Sequence, residues 1–85
     1  MFAQTAAEAR TAATNARSRF VVSEYAGAAE EVAEVAFRLC TRVRLGMDDP
    51  KVAADLLRRI SAAQGPYLPA RLDLDLLKTA DEFSA

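Results

Sequence analysis

Residues 21–43 read VVSEYAGAAEEVAEVAFRLCTRV, and their apolar side chains recur at spacings of four and three. On an α-helix with 3.6 residues per turn, this spacing places them along one stripe. The stripe consists of Val21, Tyr25, Ala28, Val32, Val35 and Leu39. Further apolar residues on both sides leave only a narrow polar strip, so such a helix must contact more than one neighbour. The stretch therefore predicts the central helix, over residues 21–45, of an all-α protein.

The length of the chain limits the size of its core. Eighty-five residues make one small domain, residues 1–85, which buries only about 60% of the surface of its unfolded chain. An apolar fraction of 52% with 27% charged residues is typical of a folded chain. Small domains often complete their core by self-association, so we expect a homodimer. The dimer or core stripe would then consist of Val21, Tyr25, Val32, Val35 and Leu39.

A thinner stripe of smaller side chains precedes the central helix, at Phe2, Ala6, Ala9, Ala13, Ala16 and Phe20. It predicts a helix over residues 4–18 that approaches its neighbour closely, because alanine favours helix and has a small side chain. The two stripes are out of phase by one residue, or about 100°. We therefore expect a break near residues 18–23, with one long fused helix as the alternative. Since the Ala-rich residues 1–20 supply few large apolar side chains, we expect this segment to be partly mobile.

Local signals mark the remaining helices. Gly46 ends the central helix, and Asp49 followed by Pro50 is typical of a helix start. These signals predict a helix over residues 50–64, ended by Gly65-Pro66, and another over residues 70–83. Their apolar faces are Val52, Ala53, Leu56, Leu57, Ile60 and Ala63 in the first, and Leu72, Leu76, Ala80 and Phe83 in the second. The whole chain is thus predicted to be a bundle of three to four helices.

The composition argues against catalysis. The absence of histidine removes the usual general base at neutral pH and the commonest ligand of transition metals. Cys40, the single cysteine, lies on the apolar side of the central helix and is expected to be a small buried hydrophobic residue. Glu30 and Glu34 share a helix face, but that face is polar and is expected to be solvated. We expect no catalytic residue, no metal site and no cofactor.

Charge and hydropathy also restrict the partners. A net charge of −1 disfavours nucleic acid and anionic membranes. A DNA-associated transcriptional regulator is the alternative function, using the helices around Gly65 as a helix–turn–helix. Its recognition helix would carry four acidic residues against Arg71 and Lys78, which phosphates would repel. No apolar run approaches 18 residues and no signal-peptide core is present, so we expect a cytoplasmic protein that does not enter a membrane.

These observations favour a non-enzymatic protein–protein interaction module, such as an adaptor, an inhibitor, an antitoxin-like protein or a phage-encoded regulator. Its partner would be another protein, contacted through helix faces. Phe37, Arg38 and Arg42 are the predicted partner-binding residues, because an aromatic side chain adjoins two arginines there. Aromatic residues and arginine are over-represented among residues that dominate binding energy. Alternatively, Phe37 simply packs under a neighbouring helix.

Overall fold

Residues 2–85, whose backbone the computed structural model describes, form four α-helices; side chains are described from residue 7 onward. The helices are α1 (Phe2–Arg17), α2 (Ala28–Arg44), α3 (Pro50–Gln64) and α4 (Ala70–Ser84). The predicted all-α bundle is confirmed, and α3 begins and ends at the predicted residues. The first two positions of the predicted N-terminal stripe, Phe2 and Ala6, have side chains outside the described part, and the mobility of residues 1–20 stays a prediction.

The break between α1 and α2 is confirmed, but it is longer than predicted. Phe20, which is fully buried, follows the end of α1, and a single 3-10 turn spans Val22–Glu24. Gly27 has φ +65° and ψ −137°, a backbone conformation that is almost confined to glycine. The predicted start at residue 21 is therefore wrong by seven residues, and the fused helix is excluded. Val21 and Tyr25 belong to the connection and not to the helix.

The buried side of α2 differs from the predicted stripe by one residue, which is about 100° of rotation. Its buried residues are Ala33, Ala36, Cys40 and Val43. Most of them are small, and they face the alanine stripe of α1, where Ala9, Ala13 and Ala16 are buried. Small residues on both helices let the two backbones approach closely. As a core stripe the prediction was wrong for Val21 and Val35, which are 42% and 45% exposed, whereas Tyr25, Val32 and Leu39 are half-buried.

The ends of α2 and α3 follow the predicted local chemistry. Arg44 is the last residue of α2, Leu45 is its C-cap, and Gly46 after it has φ +73°. The amides of Gly46 and Met47 donate to the carbonyls of Val43 and Arg42, which is the Schellman arrangement of a helix C-terminus. The carboxylate of Asp49 then caps α3, accepting a hydrogen bond of 2.9 Å from the amide of Lys51.

The helices associate as two hairpins. α1 packs mainly on α2 and α3 mainly on α4; α1 and α4 join the hairpins, whereas α2 and α3 contact each other far less. The predicted face of α4 is confirmed, since Leu72, Leu76, Ala80 and Phe83 are all buried. That of α3 is only partly correct: Ala53 and Leu57 are buried, but Val52 and Leu56 are exposed. The sparse contact between α2 and α3 explains this exposure and leaves a cleft between them.

Candidate protein-interaction surface

An exposed apolar surface lies along the cleft between α2 and α3. We call it the α2–α3 face; it consists of Val32, Val35 and Leu39 on α2 and Val52, Leu56 and Ile60 on α3. Each set recurs at spacings of three or four, so each forms a continuous row along its helix. Val35, Val52 and Leu56 are 45%, 56% and 39% exposed, and the other three are half-buried. Exposed apolar side chains in one row are more informative than single ones scattered over a surface.

A groove of about 260 Å³ lies at one end of this face. Val32, Val35 and Ile60 form its apolar part, and Glu31 and Gln64 form its polar rim. The first half of α2 therefore meets the last half of α3, as expected for two antiparallel helices joined by a short connection. An apolar centre with a polar rim is the usual construction of a protein–protein interface.

The three predicted partner-binding residues lie on different sides of α2. Phe37 is half-buried against α1, where the guanidinium carbon of Arg17 lies 5.0 Å from its ring centroid. Arg38 is exposed and pairs with Glu34 one turn earlier. Because successive helical residues turn by about 100°, Phe37 and Arg42 point about 140° apart. The structure thus brings the two arginines together but separates them from Phe37, and a binding role for the three stays a prediction.

Arg42 is held at the end of α2 by Asp48 in the following connection. Its Nε and Nη2 atoms donate to the two carboxylate oxygens over 2.8 and 3.1 Å. This two-pronged hydrogen bonding, together with the charge of Asp48, raises the pKa of Arg42. An exposed ion pair adds little to stability, so Arg42 can exchange Asp48 for another carboxylate at small cost.

The chemistry of Cys40 is that of a buried, protonated thiol. Its side chain is fully buried, and burial raises its pKa to about 12, with a further contribution from the carboxylate of Glu82. The thiolate is the reactive form, so at neutral pH this side chain is a poor nucleophile. Among residues 7–85, no three cysteine, aspartate or glutamate side chains lie close enough together to hold a metal ion.

A polar cluster that sequence reasoning missed joins the connection after α1 to α4. The guanidinium of Arg19 forms an ion pair with Glu82 and lies 3.5 Å from the hydroxyl of Thr79. Thr79 is fully buried on the inner face of α4. These contacts span about sixty positions of sequence, which no local pattern detects. The only available signal was a threonine within an apolar row, which by itself does not identify a partner.

No protein-family model, curated protein sequence or solved structure matches this chain. Among the described residues, no helix combines the length and the hydropathy that crossing a membrane would require. The features of the surface itself are therefore the basis for a functional proposal.

Proposed function

We propose that this protein is a non-enzymatic protein-interaction module whose α2–α3 face binds another protein chain. The observation that supports this most directly is the exposure of Val35, Val52 and Leu56 within one apolar surface. Complete burial of such a side chain contributes about 1.5–3 kcal/mol. Since each of the three is roughly half exposed, covering them would contribute about 2–4 kcal/mol. That is a substantial share of the roughly 8 kcal/mol that a micromolar complex requires.

The shape of the surface favours a helix as the bound element. A cleft between two antiparallel helices offers two parallel apolar rows, into which the apolar side of a third helix fits. The rows along α2 and α3 are each about three side chains long, from Val32 to Leu39 and from Val52 to Ile60. Eight to nine residues correspond to a little more than two helical turns, so a helix of ordinary length would cover the whole face.

The charges on α2 favour a second copy of the chain as the occupant. The charged residues in the first half of the helix are all acidic, and those in the second half are all arginines. They are Glu30, Glu31 and Glu34, followed by Arg38, Arg42 and Arg44. In a dimer whose two-fold axis is perpendicular to α2, the two α2 helices would run antiparallel. The acidic half of each would then face the basic half of the other, and such complementarity fixes orientation and rejects wrong partners.

Two leucines with equal exposure provide a matched test of the interface. Leu56 on the α2–α3 face and Leu77 on α4 are both 39% exposed and both lie inside helices. Light scattering during gel filtration should give a mass of twice 9.2 kDa for the unaltered chain and for Leu77→Asp. Leu56→Asp should have a mass of 9.2 kDa, because an aspartate would be buried without a partner.

Circular dichroism must show that both variants remain helical. An unaltered chain that stays at 9.2 kDa up to several hundred micromolar would exclude the second copy as occupant. Equal masses for Leu56→Asp and Leu77→Asp would exclude the α2–α3 face as the interface.

A further inference from the structure

An open depression lies on the other side of α2, where the end of α1 crosses it. Its volume is about 620 Å³, which is within the range of small-molecule sites. Phe20, Val22 and Phe37 contribute apolar walls, and Arg17 and Arg44 contribute two cations. We call this site, defined by these five residues, the arginine depression. No acidic residue lines it in the described part of the chain.

Neither arginine of the depression has a carboxylate partner. Six other arginines of the chain pair with acidic side chains, whereas Arg17 and Arg44 form no ion pair with any residue from 7 to 85. Residues 1–6 contain no acidic side chain that could supply one. Both arginines are in the last turns of their helices, where a cation is favoured by the helix dipole, but this preference supplies no carboxylate to pair with either guanidinium.

The contact between Arg17 and Phe37 leaves the guanidinium ready to bind an anion. The guanidinium carbon lies 5.0 Å from the ring centroid, a distance at which a cation is attracted to the face of an aromatic ring. A guanidinium has five N–H donors, and a contact with one aromatic ring does not occupy all of them. The contact with Phe37 also restricts the side chain before any ligand arrives, which lowers the entropy lost on binding.

We infer that the arginine depression binds a small aromatic or aliphatic molecule with one anionic group, a carboxylate, sulfonate or phosphate. The apolar body lies against Val22 and Phe37, and the anionic group accepts hydrogen bonds from Arg17 and Arg44. Ser23 also lines the depression, and its hydroxyl is a further donor there. This site is independent of the α2–α3 face and of the dimer proposed above.

The test uses two probes that differ only in charge. 1-Anilinonaphthalene-8-sulfonate is an aromatic anion, and N-phenyl-1-naphthylamine is the same molecule without the sulfonate. Fluorescence titration should show that the unaltered chain binds the anion at least about tenfold more tightly than the neutral probe, because hydrogen bonds to charged groups contribute about this much. Amide chemical shifts should change mainly at residues around Phe37 and Val22.

The matched variants remove the same charge in two places. Arg17→Gln/Arg44→Gln should abolish the preference for the anion, whereas Lys51→Gln/Lys78→Gln, with equal loss of charge elsewhere, should preserve it. If the first variant does not fold, Arg17→Lys keeps the charge without the planar guanidinium and should weaken binding of the anionic probe by a smaller factor. Equal affinity for both probes, equal effects of both double variants, or shift changes centred on Val35 and Ile60 would each overturn the inference.

Discussion

Leu56 and Leu57 are adjacent on α3 and offer a direct test of which side of this helix is buried. Leu57 is fully buried in the core, whereas Leu56 is 39% exposed beside the cleft. Both are interior residues of the same helix, so replacing either by alanine changes helix propensity by the same amount. The difference between the two variants therefore measures packing alone.

The burial of each residue sets the expected loss of stability. Leu57→Ala removes a leucine that has no contact with water, which typically costs about 2–5 kcal/mol, including the cavity left behind. Leu56→Ala loses at most about 60% of the corresponding transfer free energy and leaves no closed cavity, since solvent fills the space. We expect it to cost about 1 kcal/mol. For a domain of this size the melting temperature should fall by about 4–8 °C per kcal/mol.

Urea unfolding followed by far-ultraviolet circular dichroism measures both losses. The titrations should be repeated at several protein concentrations, because dimerisation would add a concentration-dependent contribution to stability. Leu57→Met, which conserves volume, should lose less than about 1.5 kcal/mol. If Leu57→Ala is already unfolded in water, Leu57→Val and Leu56→Val give the same comparison with smaller changes. Equal losses at the two positions would refute the assignment of the buried side of α3.

Two further predictions concern α2. Gly27→Ala should lose about 1–3 kcal/mol from backbone strain alone, because φ is +65° and an added Cβ would meet no atom within 4 Å; a melting temperature equal to that of the unaltered chain would contradict the backbone conformation. Above pH 9 the unfolded chain loses the Cys40 proton while the folded chain retains it up to a pKa of about 12, so stability should fall as pH rises. Between pH 8 and 10.5 the unaltered chain should lose about 2 kcal/mol more than Cys40→Ala in urea titrations, and parallel losses would contradict the burial of the thiol.

The helix ends and the C-terminal hairpin could be predicted because their signals are local. Asp49 and Pro50 act within one turn of each other, and Gly46 provides the positive φ that the helix end requires. The face of α4 was also predictable, since Leu72, Leu76, Ala80 and Phe83 recur at spacings of three and four along the helix. Gly27 was a comparable local signal for the start of α2, but the apolar spacing from Val21 to Leu39 continues across it and favoured an earlier start.

The buried side of α2 could not be predicted from hydrophobicity, because the larger apolar side chains lie on one side of the helix and the buried side chains lie on another. The stripe through Val32, Val35 and Leu39 is more hydrophobic than the neighbouring row of Ala33 and Ala36. That smaller row is nevertheless buried, because α2 packs on α1 and α1 also carries a row of buried alanines. The choice depends on the partner helix, and the periodicity of one helix contains no information about it.

The α2–α3 face could not be recognised from the sequence, for a related reason. The rows from Val32 to Leu39 and from Val52 to Ile60 have the spacing of a core face, and a docking face for another helix requires the same spacing. Only the arrangement of the two hairpins distinguishes a core face from a docking face, because it covers the core rows and leaves the cleft open. Likewise, the arginines that line a depression together with Phe37 are Arg17 and Arg44, and not Arg38 or Arg42.

The two proposed sites lie on opposite sides of one helix, so their experiments can be interpreted separately. Val35 and Phe37 flank the buried Ala36 and point about 200° apart around the axis of α2. An anion bound between Arg17 and Arg44 would therefore not contact a second copy bound along Val35. Leu56→Asp should change the mass without changing the affinity for the anionic probe, and Arg17→Gln/Arg44→Gln should do the reverse. If one variant altered both properties, the two sites would be coupled through α2. Such coupling would require a change at either site to displace the alanine contact between α2 and α1.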